Sequence, residues 1–307
     1  MNKIVLIDFT HLMYRIYNNN FGMIGEDQNW DFWRYVILTS IKKIIMSFSP
    51  NELVLCCDKF SWRKNIFEQY KCGRTKTGDM LDNFFPQIDL FVDELKRNFP
   101  YILVRLNGVE ADDIIGVLTF NKKPDDLTYI ISSDKDFIQL LRYKNVYLYD
   151  PIKLEFIGNQ FPCIIRKNTF KNVLHYTLTH ILGGDSGDGI PNILSDDDTF
   201  VTSGKRQKPF GIVKINKVII NEGKCSLTKL TEWLKDQQDN VKENFKRNWN
   251  LIMLSENTIP KDIQNKILSE YYNKKNIDIS LDKMERYFES KKMTTLYGKS
   301  TEFLCIV

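Results

Sequence analysis

Short apolar runs alternate with longer stretches of helical periodicity along the first half of the chain. The runs at 3–7 and 53–57 are continuously apolar, as in strands that are buried on both faces of a sheet. Similar runs follow at 101–106 and 127–131. Between the runs, apolar residues recur at helical spacing, most clearly over 32–48. Strands that alternate with helices predict an α/β fold whose central sheet is at least partly parallel.

The pattern changes in the middle of the chain. Two short apolar segments, 146–149 and 154–157, flank a turn and predict a hairpin. From about residue 168 onward the spacing is helical. We therefore expect an α/β domain over residues 1–180 and a helical domain over residues 181–307.

Composition narrows the class of protein. The 307 residues are 43% hydrophobic and 27% charged, which is ordinary for a globular protein that buries a sizeable core. No run is long enough to cross a membrane, and the chain enters a strand at Lys3, unlike a signal peptide. The six cysteines lack Cys-x-x-Cys spacing and there are three histidines, so we expect reduced thiols and no His-rich zinc site. The expected location is the cytoplasm, away from membranes.

Carboxylates follow the predicted strands where each strand ends. Asp8 and Asp58 end the first two, Glu110 follows the third, and Asp134 follows the fourth. Because the carboxyl ends of parallel strands meet at one edge of a sheet, we expect these side chains to converge there. The full predicted acidic set comprises Asp8, Asp58, Glu110, Asp112, Asp113, Asp134, Asp136, Asp185 and Asp188.

Each acid also has a simpler explanation when it is considered alone. Glu110, Asp112 and Asp113 suit a helix N-terminus, where negative charge complements the helix dipole. Asp134 and Asp136 follow two serines and suit a turn and a helix cap. The recurrence of acids at several strand ends is what favours a shared site.

A cleft lined by carboxylates favours hard divalent cations such as Mg²⁺ or Mn²⁺. So many acids indicate two ions, and two ions roughly 3.5–4 Å apart hydrolyse phosphodiesters by activating water and stabilising the leaving oxygen. We expect Asp112 to be a direct ligand, and Glu110 and Asp113 to act through water. A structural Ca²⁺ site is an alternative, although no EF-hand spacing occurs. Neither a Walker motif nor G-x-G-x-x-G occurs, so we do not expect nucleotide-driven chemistry.

Residues 59–85 form a long connection in which cations and aromatic residues are interleaved. A connection of this length in a compact domain is usually functional. Cations bind phosphates and aromatic rings stack on bases, so the segment predicts contact with nucleic acid. The alternative is a solvated charged loop. The candidate contacts are Arg63, Lys64, Tyr70, Lys71 and Arg74.

A second unusual stretch, 183–191, combines four glycines with Asp185 and Asp188. The glycines permit a tight backbone and close approach to a phosphate, although a plain loop would also explain them. A basic segment follows, whose charges predict a grip on duplex phosphates without sequence readout. Its candidate residues are Lys205, Arg206, Lys208, Lys214 and Lys217.

These motifs, in this order, resemble the structure-specific 5′-nuclease (flap endonuclease) superfamily. The resemblance spans residues 1 to about 220, and the length is most similar to that of the ribonucleases H of T4-like bacteriophages. It implies a PIN-like α/β fold with a mostly parallel sheet, helices on both faces, and an arch over the cleft at about 59–85. It also implies a helical DNA-binding C-terminal domain with a variant helix-three-turn-helix. The variation is a long insertion after Ile193, and only 210–214 resemble the motif's second half.

The resemblance implies a Mg²⁺-dependent 5′→3′ exonuclease and 5′-flap endonuclease with two ions, for which Mn²⁺ substitutes. Such enzymes remove RNA primers and flaps during phage lagging-strand replication. Carried over by position, the nine acids match the family's metal carboxylates, with the tighter ion on Asp8, Asp112, Asp134 and Asp136 and the weaker on Asp185 and Asp188. The implied catalytic residues are Asp8, Asp58, Asp112, Asp134, Lys64 and Lys71.

The implied substrates are branched or nicked duplex DNA and RNA–DNA hybrid, bound by a monomer. A single-strand-binding protein and a sliding clamp are the candidate protein partners. Two other functions fit parts of the pattern. A PIN-type endoribonuclease would share the fold but would not explain residues 183–191 or the basic segment. A non-catalytic binder of branched DNA would not explain the acids, because unpaired carboxylates weaken phosphate binding.

Overall fold

The computed structural model describes residues 1–24, 29–73, 78–165, 167–274 and 280–305. Among the described helices, none combines the length and the apolar character that a membrane crossing requires.

A six-stranded mixed sheet forms the centre of the fold, in the order β3-β2-β1-β4-β5-β6. Strands β1 to β5 are parallel, and β6 is antiparallel to β5 in the predicted hairpin. The strands are β1 (Lys3–Asp8), β2 (Glu52–Cys56), β3 (Ile102–Val104), β4 (Leu127–Ile131), β5 (Val146–Asp150) and β6 (Glu155–Ile157). The predicted α/β class with a mostly parallel sheet is therefore confirmed.

Helices cover both faces of the sheet. The first part of the chain contributes α1 (Phe9–Asn19), α2 (Phe21–Ile24), α3 (Trp30–Phe48), α4 (Gly78–Asn98) and α5 (Ala111–Phe120). The second part contributes α6 (Val173–Gly183), α7 (Ile212–Ile219), α8 (Leu227–Lys235), α9 (Asp239–Ile252), α10 (Lys261–Asn273) and α11 (Leu281–Ser290). Short strand pairs lie at β7 (Cys163–Ile165) with β8 (Asn168–Phe170), and at β9 (Ile220–Asn221) with β10 (Lys224–Cys225).

Strand β1 shows why the apolar runs are continuous. Val5 and Ile7 face a core shared with α1, α3 and α4, whereas Ile4 and Leu6 face a core shared with α5 and α10. Successive side chains of a strand point to opposite faces, so a strand between two helical layers needs apolar residues at every position.

Two predicted boundaries are corrected. The third strand ends at Val104, because the chain turns away through 106–109 and Val109 forms an isolated bridge with Lys59. The connection that we predicted over residues 59–85 ends where helix α4 begins, at Gly78. The connection after β2 is therefore shorter than the 59–85 segment assigned to an arch.

The C-terminal half contributes to four apolar clusters of the described residues. Helices α6 to α9 surround a third apolar core that contains Leu182, Ile215 and Leu230. Helix α10 returns to the α5 face of the sheet, and α11 packs in the core on the opposite face. The sequence-based division at residue 180 stays a prediction, and the last two helices pack on the α/β unit.

Candidate metal centre

Parallel pairing brings acids from separate parts of the chain to one edge of the sheet. Asp8 is the last residue of β1 and pairs with Cys56 of β2, so Asp58 lies beside it just beyond that strand. Ser132 directly follows β4, and its Oγ donates a 2.9 Å hydrogen bond to Asp8. Asp134 lies two residues further on. The expected convergence of strand-end carboxylates therefore occurs in the folded chain.

The same acids accept hydrogen bonds from backbone N–H groups at the starts of helical segments. Asp8 accepts a hydrogen bond from the backbone N–H of His11 in α1, at 3.3 Å. Asp58 Oδ1 accepts one from the backbone N–H of Ala111, at the start of α5, at 2.7 Å. Asp134 accepts one from the N–H of Asp136 at 3.0 Å. The helix-cap explanation and the shared-site explanation therefore apply to the same residues.

The strand-end acids repel one another. Burial, followed by repulsion from Asp58 and Asp134, holds the pKa of Asp8 well above its ordinary value. Burial, followed by repulsion from Asp134, does the same to the pKa of Asp112, although the Lys71 ammonium opposes it. Carboxylates held this close at neutral pH are stabilised by a cation between them, and their oxygens are the ligands that hard divalent cations prefer. The residues therefore fit a divalent metal.

A second group of acids lies in a cleft lined by Asp112, Asp136, Asp185 and Asp188. His180, in the last turn of α6, places Nδ1 3.4 Å from Asp136 Oδ1 and Nε2 3.4 Å from Asp185 Oδ2. One potential ligand atom from each of these three residues lies within 4.8 Å of the others.

Charge sets the protonation of this second group. Burial alone would lower the pKa of His180, but Asp136 and Asp185 outweigh it and raise the pKa to about 9. Burial would raise the pKa of Asp185, but the His180 hydrogen bond and charge lower it to about 2. Asp136 keeps a raised pKa, about 7, because burial and repulsion from Asp134 exceed the effect of His180. In the metal-free protein, an imidazolium thus lies between two acids.

A tight backbone loop presents Asp185 and Asp188. Asp185 and Ile190 exchange two backbone hydrogen bonds, of 2.8 and 2.7 Å, which close the loop. Gly184 has φ +70° and ψ −176°, and a Cβ there would lie 2.3 Å from the Ile190 carbonyl oxygen. Only glycine accommodates that backbone. The glycine at this position is therefore what allows the loop to turn.

Glu110 and Asp113 are paired with a buried cation. Both form ion pairs with the guanidinium of Arg63, which is 2% exposed. Arg63 Nη1 lies 2.7 Å from Glu110 Oε2, and Nη2 lies 2.8 Å from Asp113 Oδ1. Asp113 also accepts hydrogen bonds from Trp62 Nε1 and from the backbone N–H of Glu110. These contacts fix the position of both carboxylates, and their expected water-mediated contact to a metal stays a prediction.

Arg63 itself requires a correction. We expected it to contact nucleic acid, but its side chain is buried, and its Nε donates to the Leu251 carbonyl oxygen at 2.9 Å. Every guanidinium nitrogen therefore has an internal acceptor, and the residue joins the loop after β2 to α5 and to the end of α9.

Tyr70 and Lys71 lie between the loop after β2 and the cleft. The Tyr70 hydroxyl donates to Asp188 Oδ2 at 3.0 Å, and Lys71 Nζ contacts a Glu110 oxygen and lies 3.7 Å from Asp188 Oδ2. Burial would raise the pKa of Glu110, but Lys71 and Arg63 lower it to about 2. The Lys71 backbone N–H donates to the Asp188 carbonyl oxygen at 2.7 Å. These contacts attach the predicted substrate-gripping segment to the 183–191 loop.

The other predicted nucleic-acid contacts differ in exposure. Lys64 is exposed beside the buried Arg63, and Arg74 lies outside the described residues. Arg206, Lys208, Lys214 and Lys217 are exposed beyond the cleft. Lys205 is 30% exposed, and its ammonium is paired with Asp196 at 2.9 Å and with Asp198. Its contact with nucleic acid stays a prediction.

Sequence reasoning missed His180, His11 and Arg15. His11 Nε2 and Arg15 Nη1 approach Ser133 Oγ at 2.8 and 2.6 Å, beside the strand-end acids. The signal for His180 was its place five residues before Asp185, at the end of a helix that enters the Gly-Asp loop. The sequence analysis did not predict a histidine at the metal site, because three histidines are too few for a His-rich zinc site.

Comparison with known sequences adds independent information. A protein-family model described as 5′-3′ exonuclease, N-terminal resolvase-like domain, matches residues 3–172. Ribonuclease H of Enterobacteria phage T4 is 28% identical over 318 aligned residues, which cover 98% of this chain and 95% of that protein. A 5′-3′ exonuclease of Mycoplasmopsis pulmonis is 32% identical over 148 residues, 48% of this chain and 47% of that protein.

Solved structures share the fold. The 5′-exonuclease of bacteriophage T5 with bound zinc has a TM-score of 0.64 and 18% identity, and the match covers 89% of this chain and 100% of that chain. A bacteriophage T5 flap endonuclease in a complex with DNA and metal ions has a TM-score of 0.61 and 17% identity, with 89% and 99% covered. At these identities the likeness establishes a common architecture.

Proposed function

Because this chain belongs to the 5′-3′ exonuclease family and is therefore a 5′-nuclease, we propose that it is a Mg²⁺-dependent 5′→3′ exonuclease and 5′-flap endonuclease. The observation that carries the proposal is the meeting of Asp8, Asp58, Asp112 and Asp134 at one edge of a parallel sheet, where their charges repel one another. The T5 relatives of the same fold bind divalent metal ions, which supports a cation at this edge.

Two groups of acids support two metal positions. In our proposal the strand-end acids hold one ion, and Asp185 and Asp188 hold the second. Asp136, which the resemblance assigned to the tighter ion, is moved to the second because it lies with Asp185 beside His180. Two divalent cations, when bound, activate the attacking water and stabilise the leaving oxygen of a phosphodiester. Mn²⁺ substitutes for Mg²⁺, since both accept oxygen ligands.

The chain's own residues position the substrate in this proposal. Lys71 Nζ lies at the cleft between Glu110 and Asp188, so it is placed to bind a phosphate oxygen once a cation satisfies Asp188. The Tyr70 hydroxyl shares the same carboxylates and fixes the wall behind the phosphate. Arg63 keeps Glu110 and Asp113 in place without touching the substrate. Lys64, Arg206, Lys208 and Lys214 are exposed and supply contacts to the nucleic-acid backbone.

The relatives favour 5′-ended branched and hybrid substrates. One is named a ribonuclease H and others are named flap endonucleases. We propose that this enzyme removes RNA primers and 5′ flaps from duplex DNA during replication. The similarity to the phage T4 protein over nearly the whole of both chains is the support for that role.

A comparison of end-labelled substrates tests the proposed specificity. In Mg²⁺, a 5′-flapped duplex and a 5′-recessed RNA–DNA hybrid should both be cut, whereas the single-stranded 3′ arm of a 3′-flapped duplex of the same sequence should not be removed. EDTA should abolish all cleavage. Preferred cleavage of single-stranded RNA without a 5′-end requirement would instead support a PIN-type endoribonuclease. Binding of the flap without turnover in Mg²⁺ or Mn²⁺ would support a non-catalytic DNA binder.

A further inference from the structure

One side chain of the cleft differs in chemistry from the rest. His180 lies between Asp136 and Asp185, with one ring nitrogen 3.4 Å from a carboxylate oxygen of each. Its side chain is 16% exposed, so the ring is held inside the cleft wall. The aromatic ring of Tyr176, one helical turn earlier, packs edge-on against it with the ring centroids 6.2 Å apart. The imidazole is thus fixed in orientation where the second group of acids meets.

We propose that His180 is a nitrogen ligand of the second metal position, together with Asp136 and Asp185, and that it makes this position prefer Mn²⁺ to Mg²⁺. The inference rests on the proposed function, because it assumes that divalent ions bind the two groups of acids. It goes further by giving the two positions different ligand chemistry.

The preference follows from the donor atoms. Mg²⁺ binds oxygen and dehydrates reluctantly, whereas divalent transition metals as a class also bind imidazole nitrogen, Zn²⁺ and Ni²⁺ more strongly than Mn²⁺. Potential ligand atoms of His180, Asp136 and Asp185 lie within 4.8 Å of one another, a span that one ion can bridge. By contrast, the groups described around Asp8, Asp58, Asp112 and Asp134 at the strand ends offer oxygen. The strand-end position should therefore remain the Mg²⁺ position.

The other two histidines allow the ligand to be identified. His175 is 1% exposed, and its two ring nitrogens contact the Lys171 backbone N–H and the Asn216 side chain. His11 lies near the strand-end acids, and its Nε2 contacts Ser133 Oγ. Removing His11 therefore leaves His180 as the histidine that can reach a cleft-bound ion.

The test is pulsed electron paramagnetic resonance of Mn²⁺ bound to the full chain labelled with ¹⁵N-histidine. We expect a directly bound ¹⁵N coupling in the parent and in His11→Gln, and its loss in His180→Gln. Isothermal titration should show Mn²⁺ affinity at the weaker position falling by about tenfold in His180→Gln, with a smaller change for Mg²⁺. His11→Gln should leave the weaker position unchanged.

The outcomes separate the inference from the proposed function. Mn²⁺ that binds with no ¹⁵N coupling in the parent and in His11→Gln would overturn the ligand assignment, and that result does not depend on the folding of His180→Gln. Equal losses of Mn²⁺ and Mg²⁺ affinity in a folded His180→Gln would overturn the preference for Mn²⁺. Absence of any Mn²⁺ binding would overturn the metal-dependent function itself.

Discussion

Arg63 shows that a cation in a basic segment can serve the core instead of the substrate. Its guanidinium pairs with Glu110 and Asp113 and is 2% exposed, whereas its neighbour Lys64 is exposed. A buried charge that loses its partner costs far more than an exposed one, because water no longer solvates it. The two residues therefore make a matched pair for experiment.

Replacing Arg63 with Ala should destabilise the protein by about 3–5 kcal/mol, since two buried carboxylates would lose their counter-charge. Lys64→Ala should change the free energy of unfolding by no more than about 0.5 kcal/mol. Urea denaturation of both variants measures the difference. If Arg63→Ala unfolds at the parent's midpoint while flap binding weakens, Arg63 contacts nucleic acid as the sequence first indicated.

At the scale of elements, the loop at 183–191 depends on one backbone conformation. Gly184 lies where a Cβ would meet the Ile190 carbonyl oxygen, whereas Gly204, also at positive φ, has open space around its Cα. Asp185 and Asp188 are carried on the closed loop that this glycine permits. The positions of Asp185 and Asp188 therefore depend on the absence of a Cβ atom at residue 184.

Gly184→Ala should cost at least about 1–3 kcal/mol of stability, because the strain adds to a steric clash. It should also weaken divalent-ion binding by moving Asp185 and Asp188. Gly204→Ala carries the strain without the clash and should cost about 1 kcal/mol or less. Thermal unfolding and Mn²⁺ titration of the two variants test this. Equal melting temperatures and equal Mn²⁺ affinities of the two variants would show that the 183–191 loop tolerates a side chain at residue 184.

The strands and the acids that follow them could be predicted from the sequence, because both depend on local pattern and on the geometry of parallel sheets. Asp8, Asp58 and Asp134 illustrate this, since each lies at or just beyond the end of a strand. The roles of Glu110, Asp113 and Arg63 could not be predicted, since they depend on side-chain pairing between distant segments. His180 was missed because its neighbours Asp136 and Asp185 become neighbours only after folding.

At the scale of the whole molecule, the cleft makes stability depend on pH and metal. The folded-state pKa values of Asp8, Asp112, Asp136 and His180 are raised, to about 7 for Asp136 and about 9 for His180. A raised pKa contributes stability that is lost as pH rises through it. Glu110 and Asp185 have lowered pKa values, about 2 each, so their contribution is lost only as pH falls from about 4 towards 2.

The melting temperature of the protein in EDTA should therefore be highest near about pH 5 and fall steadily towards about pH 9. Saturating Mg²⁺ should remove most of that fall, because ions bound to the folded state stabilise it and favour ionised carboxylates. Melting curves across this range, with and without Mg²⁺, provide the measurement. A melting temperature that does not change with pH in EDTA would contradict the proposed repulsion among the carboxylates of the cleft.

The central claim is that acids gathered at the sheet edge perform metal-dependent cleavage at 5′ ends. Asp134→Asn tests it most directly, because the change removes one charge and keeps the size of the side chain. We expect the rate of 5′-flap cleavage in Mg²⁺ to fall by at least about 10²–10³-fold. Binding of the same flap in EDTA should stay within about twofold, since the phosphate-binding cations are untouched. Cleavage by Asp134→Asn at the parent's rate would contradict the assignment of the site.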